Sequence, residues 1–496
     1  MKYTYLLIIL TFAGQLFSQN TFFKVYSTHL EELSHEVAQT TYGNFIITGK
    51  RSSGYYERDS KGLIMLIDEN GQLIKEFTTE NDTLSGFATI DKKPGQNDVY
   101  LITGFQDSIS NANRIFSVVL YETDENIEIL SRNTVFSLNN IMVRPSKSTF
   151  KNDSTILLLT RRMDETFTYP TPQFIVTEIR LPADSIRSYV SSIESINLPE
   201  DILYIPKNNE THVLYIGHHF DDTFTTKILK LDDMLNVITT MEPPAFMLTQ
   251  ACSTTLTDST YLIAATTFPS SGLYTTRDIA VWRVDEDGNG INGTQYNNHQ
   301  DTILYAGEGG SNTIILNDTI FVVGTHNVHP SAVPWQSSPS WIQVTKLDME
   351  LNILSHHFHG GDAFYMPCFV IPTLDNGMLI TGYIYDYNSG EQQHDIFALK
   401  LNSNGMIVDV PENAPWQSTE AILYPNPASE MINIEFSQVY QKANFQLMDI
   451  GGKVVLETQL NSNYQSINIS TLPAGTYVYR IFNKEGLDER GKIVVE

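Results

Sequence analysis

From residue 20 to 408 the chain alternates short apolar runs with polar turns, and the runs repeat. The clearest run is an apolar strand ending on a small residue. It stands at Phe45–Gly49, Tyr100–Gly104, Ile156–Thr160, Val213–Gly217, Tyr261–Ala265, Phe321–Gly324 and Met378–Gly382. These seven copies recur about every 55 residues, a spacing that signals a repeat architecture. A second strand, a tight turn and a further strand follow each copy. Leu63–Asp68 turns at Glu69-Asn70-Gly71, Ile279–Asp285 at Glu286-Asp287-Gly288, and Ile396–Asn402 at Ser403-Asn404-Gly405. Asp and Asn tolerate the left-handed backbone and Gly removes its steric cost, so these are hairpin turns. A short strand ending in a turn, as at Tyr42-Gly43-Asn44 or Asp375-Asn376-Gly377, precedes each copy. Helical periodicity is missing. Four antiparallel strands per unit, seven times over, predict an all-β chain whose residues 20–408 form a seven-bladed β-propeller. A β-solenoid or paired sandwiches is the alternative.

Ring closure needs an outer strand for the last blade. Phe22–Tyr26 has that character, and Met406–Val410 is a second candidate. Closure through the N-terminal strand removes a sheet edge that would otherwise invite aggregation. The two cysteines, Cys252 and Cys368, fall in the first strands of the fifth and seventh repeats. A whole blade between them exceeds the ~7 Å Cα separation that a disulfide tolerates, so both read as buried free thiols.

Propeller geometry sorts the loops onto two faces. The a–b and c–d turns are short and acidic; the b–c loops are long and aromatic. Tyr55, Tyr169, Tyr274, Trp335, Trp341 and Tyr385 all lie in or beside b–c loops. Aromatic groups with one polar edge suit binding surfaces, and loops carry them readily. These six are the candidate ligand-binding face, for a glycan or protein ligand. The competing reading is local packing over the blade ends.

Composition narrows the functions. The net charge of −26 gives nucleic acid and anionic membranes no electrostatic reason to bind. No esterase elbow, zincin helix or phosphate loop is present, so no catalytic residues are assigned. A secreted hydrolase or lyase with its site at the channel mouth is the alternative function. Asp285-Glu286-Asp287-Gly288-Asn289-Gly290 resembles the start of a calcium loop, but Tyr296 stands where the final acid belongs, and a plain turn is favoured over a calcium cofactor. The histidines His218/His219, His326/His329 and His356/His357/His359 fall in different repeats, which argues against one metal site.

The two ends of the chain carry targeting signals. Residues 1–19, with Lys2 followed by an apolar run to Phe12 and small Ser18, read as a signal peptide. That run is too short to serve as a transmembrane span. Residues 409–420, with Pro411 and Pro415, read as a linker. Residues 421–496 follow as a set of short alternating strands, consistent with a small immunoglobulin-like sandwich. In that segment Tyr424-Pro425-Asn426-Pro427, then Gly451, Gly475 with Tyr477, and Lys492 occur in fixed order. These blocks resemble the type A C-terminal sorting domain of type IX secretion cargo. The resemblance implies a Gram-negative source and export through the periplasm to the outer-membrane surface or medium. It also implies two partners, the secretion translocon and a sortase-like peptidase that removes the tail. The repeats resemble propeller-like repeats of exported proteins with this tail. Asp-Ser/Thr sites such as Asp82, Asp107, Asp153, Asp184, Asp258, Asp301 and Asp318 resemble the O-glycosylation sequon of such bacteria.

Overall fold

The computed structural model describes residues 20–495 apart from 56–58, 80–83, 97, 111–112, 165–172, 192–195, 219–223, 243–246, 257–259, 268–276, 297–303, 307–310, 330–331, 408–420, 437–441 and 485–486. All described regular structure is β. Between residues 22 and 401 the strands sort into seven antiparallel sheets among the described residues. The first consists of Glu31–Gln39, Phe45–Ser52, Lys61–Ile67 and Leu73–Thr78, paired in chain order. The next four repeat this meander through residues 84–139, 141–190, 196–241 and 247–296. In the sixth the first strand is split, into Leu304–Ala306 and Thr313–Leu316, and both pieces pair with Thr319–His326.

The seventh sheet takes three strands from one end of the repeat and one from the other. Phe364–Pro372, Met378–Tyr385 and Asp395–Leu401 are completed by Phe22–Tyr26, with Phe22 opposite Lys400 and Tyr26 opposite Ile396. The expected closure by the N-terminal strand is therefore what the fold uses.

Apolar packing makes the sheets a ring. Each neighbouring pair shares one core: Ile46, Ile64 and Leu66 of the first sheet pack with Phe87, Tyr100 and Tyr121 of the second. The series continues around to Leu379, Ile396 and Ala398 of the seventh, which pack with Phe45, Ile47 and Leu63 of the first. Second and third strands are covered on both faces by adjacent sheets. That is why they read as near-continuous apolar runs (Lys61–Ile67 is buried at six of seven positions), while the outer Leu73–Thr78 is largely exposed. Pairing and packing together make this a propeller-like arrangement.

The inner strands share one irregularity. Ladder pairing jumps a residue at Ser34/Glu36, Phe87/Thr89, Pro145/Lys147, Pro199/Asp201 and Pro367/Phe369. A bulge adds one residue to a strand and re-aims its side chain. It also explains the small residue of the repeat. At Gly49 an added Cβ would lie 2.1 Å from the Leu33 carbonyl oxygen, and at Gly382 2.1 Å from that of Met366. The bulged strand crosses too close for any side chain. The fourth sheet departs from the sequence alignment here. Tyr215, not Gly217, faces its bulge, and Gly217 lies two residues on, opposite Asn197.

The hairpin turns are also uniform. Asp68, Asp124, Asp232, Asp285, Asp348 and Asn402 each accept backbone N–H groups from the residues two and four ahead. Asp285 Oδ1, in the segment that resembles a calcium loop, is engaged by Asp287 and Asn289 in this shared way at 2.9 and 2.8 Å.

The tail forms two further sheets around its own core. Ala421–Tyr424, Met431–Phe436 and Tyr464–Asn468 make one. Val454–Leu460, Ala443–Asp449, Gly475–Phe482 and Asp488–Val495 make the other. Ile432, Ile434, Phe445, Leu447, Ile481 and Ile493 are fully buried between them.

Candidate ligand cavity on the ring axis

The bulges place their extra residues at the axis. His35, Ala88, Ser146 and Cys368, the bulged residues of the first, second, third and seventh sheets, line one cavity of 440 Å³. Lys50, Phe105 and Tyr383 line it as well. Each directly follows the small residue of its repeat, Gly49, Gly104 or Gly382. Those positions are legible as a pattern, and they sit within strands and not in the long aromatic loops. Tyr55 of a b–c loop and Arg144 also line the cavity.

The cavity carries cations beside aromatic faces. Arg144 is clamped by both carboxylate oxygens of Asp107, at 2.9 and 2.6 Å, and its guanidinium carbon lies 3.8 Å from the Phe105 ring centroid. Burial lowers the pKa of Arg144, and the Asp107 carboxylate opposes that shift. Burial pulls the His35 pKa down to about 4, with the nearby Lys50 and Lys147 charges acting the same way. His35 is therefore a neutral hydrogen-bonding group at neutral pH, its Nδ1 2.5 Å from the Phe87 carbonyl oxygen. One residue further along the same strands, Lys147 meets Glu36 at 2.5 Å, and Glu36 accepts the Ile90 amide at 2.9 Å. Ser148 reaches Asp91 at 2.5 Å; burial, then the Glu36 charge, push Asp91 up to about 7. These buried polar groups stitch the inner strands across sheet boundaries, because a buried charge without partners is costly.

The six expected face residues divide. Tyr55, Trp335 and Tyr385 converge: Trp335 lies 5.6 Å from Tyr55 and 5.1 Å from Tyr385, ring to ring. The centre of their cluster is His394, which sequence reading passed over. Its ring lies tilted 4.2 Å from Trp335 and meets Tyr383 edge-on at 5.0 Å. Its two ring nitrogens lie 2.6 Å from Glu31 Oε1 and 3.0 Å from the Pro334 carbonyl oxygen. The cluster thus clasps the long loop before Trp341 to the first and seventh sheets, and Tyr55 and Tyr383 extend it to the cavity wall. Trp341 lies elsewhere. It is 7% exposed and packs with Phe358, Ile422 and Tyr424, its indole over Gly361, where a Cβ would lie 2.4 Å from Nε1. Tyr169 and Tyr274 lie outside the described residues, as does the side chain of Cys252. Cys368 is buried as a free thiol.

Among the described residues no three His, Cys, Asp or Glu groups converge in a metal-binding arrangement, and no helix is long and apolar enough to cross a membrane.

In the tail the motif residues hold the fold together. Asn426 accepts the Val494 amide at 2.8 Å and donates to the Lys492 carbonyl at 3.1 Å, tying the entry of the domain to its last strand. Pro425 and Pro427 follow the strand Ala421–Tyr424, which is an edge strand as its prolines predict. Gly451 lies in the Asp449 turn, and Tyr477 of the strand opened by Gly475 donates to the Pro473 carbonyl at 2.7 Å.

A comparison with curated proteins finds no match. Among solved structures, the β-propeller domain of the Trilobed protease from Pyrococcus furiosus is 8% identical, covering 78% of this chain and 98% of that domain, with a TM-score of 0.42. The WD40 domain of SCAP from fission yeast is also 8% identical, covering 77% and 98%, with a TM-score of 0.36. An apocarotenoid oxygenase from Synechocystis is 12% identical, covering 77% and 74%, with a TM-score of 0.35. Residues 422–496 match the family described as the secretion system C-terminal sorting domain, so the tail is the sorting domain of a type IX secretion cargo, which marks the chain for the cell surface or secretion.

Proposed function

We propose that the protein is an exported, seven-bladed propeller that binds a small acidic ligand, an acidic monosaccharide, in its axial cavity. One observation carries this reading: in a chain of net charge −26, the 440 Å³ cavity gathers Lys50 and Arg144 beside Phe105, Tyr55 and Tyr383. The volume falls in the usual range for small-ligand sites, which combine apolar and aromatic walls with a few placed polar groups. Lys50 offers a point charge for a carboxylate. The aromatic faces suit a sugar ring, and neutral His35 offers a hydrogen bond.

The rest of the reading concerns delivery. Residues 1–19 act as a signal peptide, residues 20–408 are the propeller, residues 409–420 are the linker, and residues 421–496 are an immunoglobulin-like sandwich. The tail engages the type IX translocon after passage through the periplasm, and a sortase-like peptidase removes it.

The test is calorimetric titration of the protein with paired acidic and neutral monosaccharides. Acidic members bind, and Lys50→Gln weakens them about tenfold or more, the cost of removing one charged partner in a partly desolvated site. Equal binding of acidic and neutral members, or of neither, rejects the assignment.

A further inference from the structure

Among the described residues, the sorting domain meets the propeller at the sixth sheet, and the contact is built on the first residue of its own entry motif. Tyr424 is 3% exposed and Ile422 is 2% exposed, both against the sixth sheet. Tyr424 sits over the strand ends that precede and follow the long loop: its ring lies 5.2 Å from His326 and 6.3 Å from Trp341. Phe358 closes the cluster 5.3 Å from His326. The polar edge is matched as well. Tyr424 donates to Glu435 Oε2 at 3.1 Å, and the same oxygen lies 3.5 Å from His326 Nε2, while His326 Nδ1 lies 3.1 Å from Gln343 Oε1.

Three aromatic rings and a histidine from two domains, with their polar atoms facing one another, are what a specific interface core contains. The bonds within the tail do not require it, since Asn426 and Tyr477 secure the domain internally. Nor does the propeller require it, since the sixth sheet shares its core with the fifth and seventh. Among the described residues, each side presents an apolar surface that the other covers.

We infer that the end of the sixth sheet bearing His326, Trp341 and Phe358 is a docking surface for the sorting domain, anchored by Tyr424. The tail then travels as one body with the folded propeller. Its removal uncovers an aromatic surface in the exported protein that is masked during transit.

The test uses the full chain with a specific protease site placed within 409–420. After cleavage, the fragment beginning near residue 421 co-elutes with the propeller on size exclusion. Tyr424→Ala and Trp341→Ala weaken that association about tenfold or more and release it, as loss of a central aromatic anchor does. Tyr424→Phe keeps the ring and keeps the complex. Ile450→Ser, on an exposed turn of the tail, changes nothing. Hydrogen exchange at Trp341–Leu347 is the second readout: protection falls on cleavage of Tyr424→Ala but not of Tyr424→Phe. A wild-type tail that elutes separately at once, or exchange at Trp341–Leu347 indifferent to tail release, overturns the inference.

Discussion

At the scale of single residues, the chain's most repetitive feature has a steric cause. Gly49, Gly104 and Gly382 are small because a bulged neighbour strand presses a carbonyl oxygen where a side chain would begin, at 2.1, 2.5 and 2.1 Å. Gly382→Ala should therefore cost about 3 kcal/mol or more, the upper end for overpacking, because the obstacle is backbone and cannot rotate away. Urea unfolding checks it, with Gly451→Ala as a mild comparator whose nearest neighbour is a side-chain oxygen at 3.2 Å. The repeat mark was legible without this reason. Its consequence was not: the bulged residues His35, Ala88 and Cys368 line the cavity, with Lys50, Phe105 and Tyr383 beside them on the facing strands. Nothing local in the sequence betrays a bulge, since it exists only in the pairing of two strands. Turns tell a related story. Ile127, Leu235 and Leu351 hold φ values of 54°, 63° and 68° where sister turns have Gly71, Gly288 and Gly405. Each is buried, at 1%, 5% and 3%, so packing against a neighbouring core offsets the backbone strain.

At the scale of elements, the four-stranded unit and its closure were readable because each strand obeys its own pattern and turn chemistry. Which of the loop aromatics meet one another was not legible. Loop aromatics alone could not separate Trp335, which joins the His394 clasp, from Trp341, only six positions on, which faces the tail. His394 and Glu31 are 363 residues apart and meet only because the ring closes. Closure itself is testable. Phe22 sits in the core shared by the seventh and first sheets, and Gly71 leaves it space, since a Cβ there would come within 2.6 Å of its ring. Phe22→Ala should destabilise the whole ring by about 3 kcal/mol, the usual cost of emptying a buried aromatic site. The expected signature in urea is one transition at a lower midpoint. An unchanged midpoint, with exchange increased only at Phe22–Tyr26, means the strand decorates the ring without securing it.

At the scale of the whole molecule, the contact between propeller and tail ties stability to pH through one carboxyl. Burial pushes Glu435 up to about 7, and the Tyr424 hydroxyl only partly offsets this. Among the described residues, the titratable groups facing it are Tyr424 and His326, at 3.1 and 3.5 Å. An exposed glutamate in a separated tail titrates near 4.3, so the docked state holds more protons across the interval between that value and about 7. The sign follows. Docking is strongest below the ordinary glutamate pKa, weakens as pH rises through about 7, and levels off above it. Glu435→Gln keeps an acceptor for Tyr424 without the titration. Its docking should lose the weakening that wild type shows as pH rises through about 7 and should exceed wild type at pH 8. Size exclusion of the chain cut within 409–420, run from pH 5 to pH 8, reads this directly. Wild-type tail should dissociate more readily at the alkaline end while the glutamine variant stays bound. If both hold equally at every pH, the buried carboxyl is not what sets the strength of the contact, and the aromatic cluster around Trp341 carries it alone.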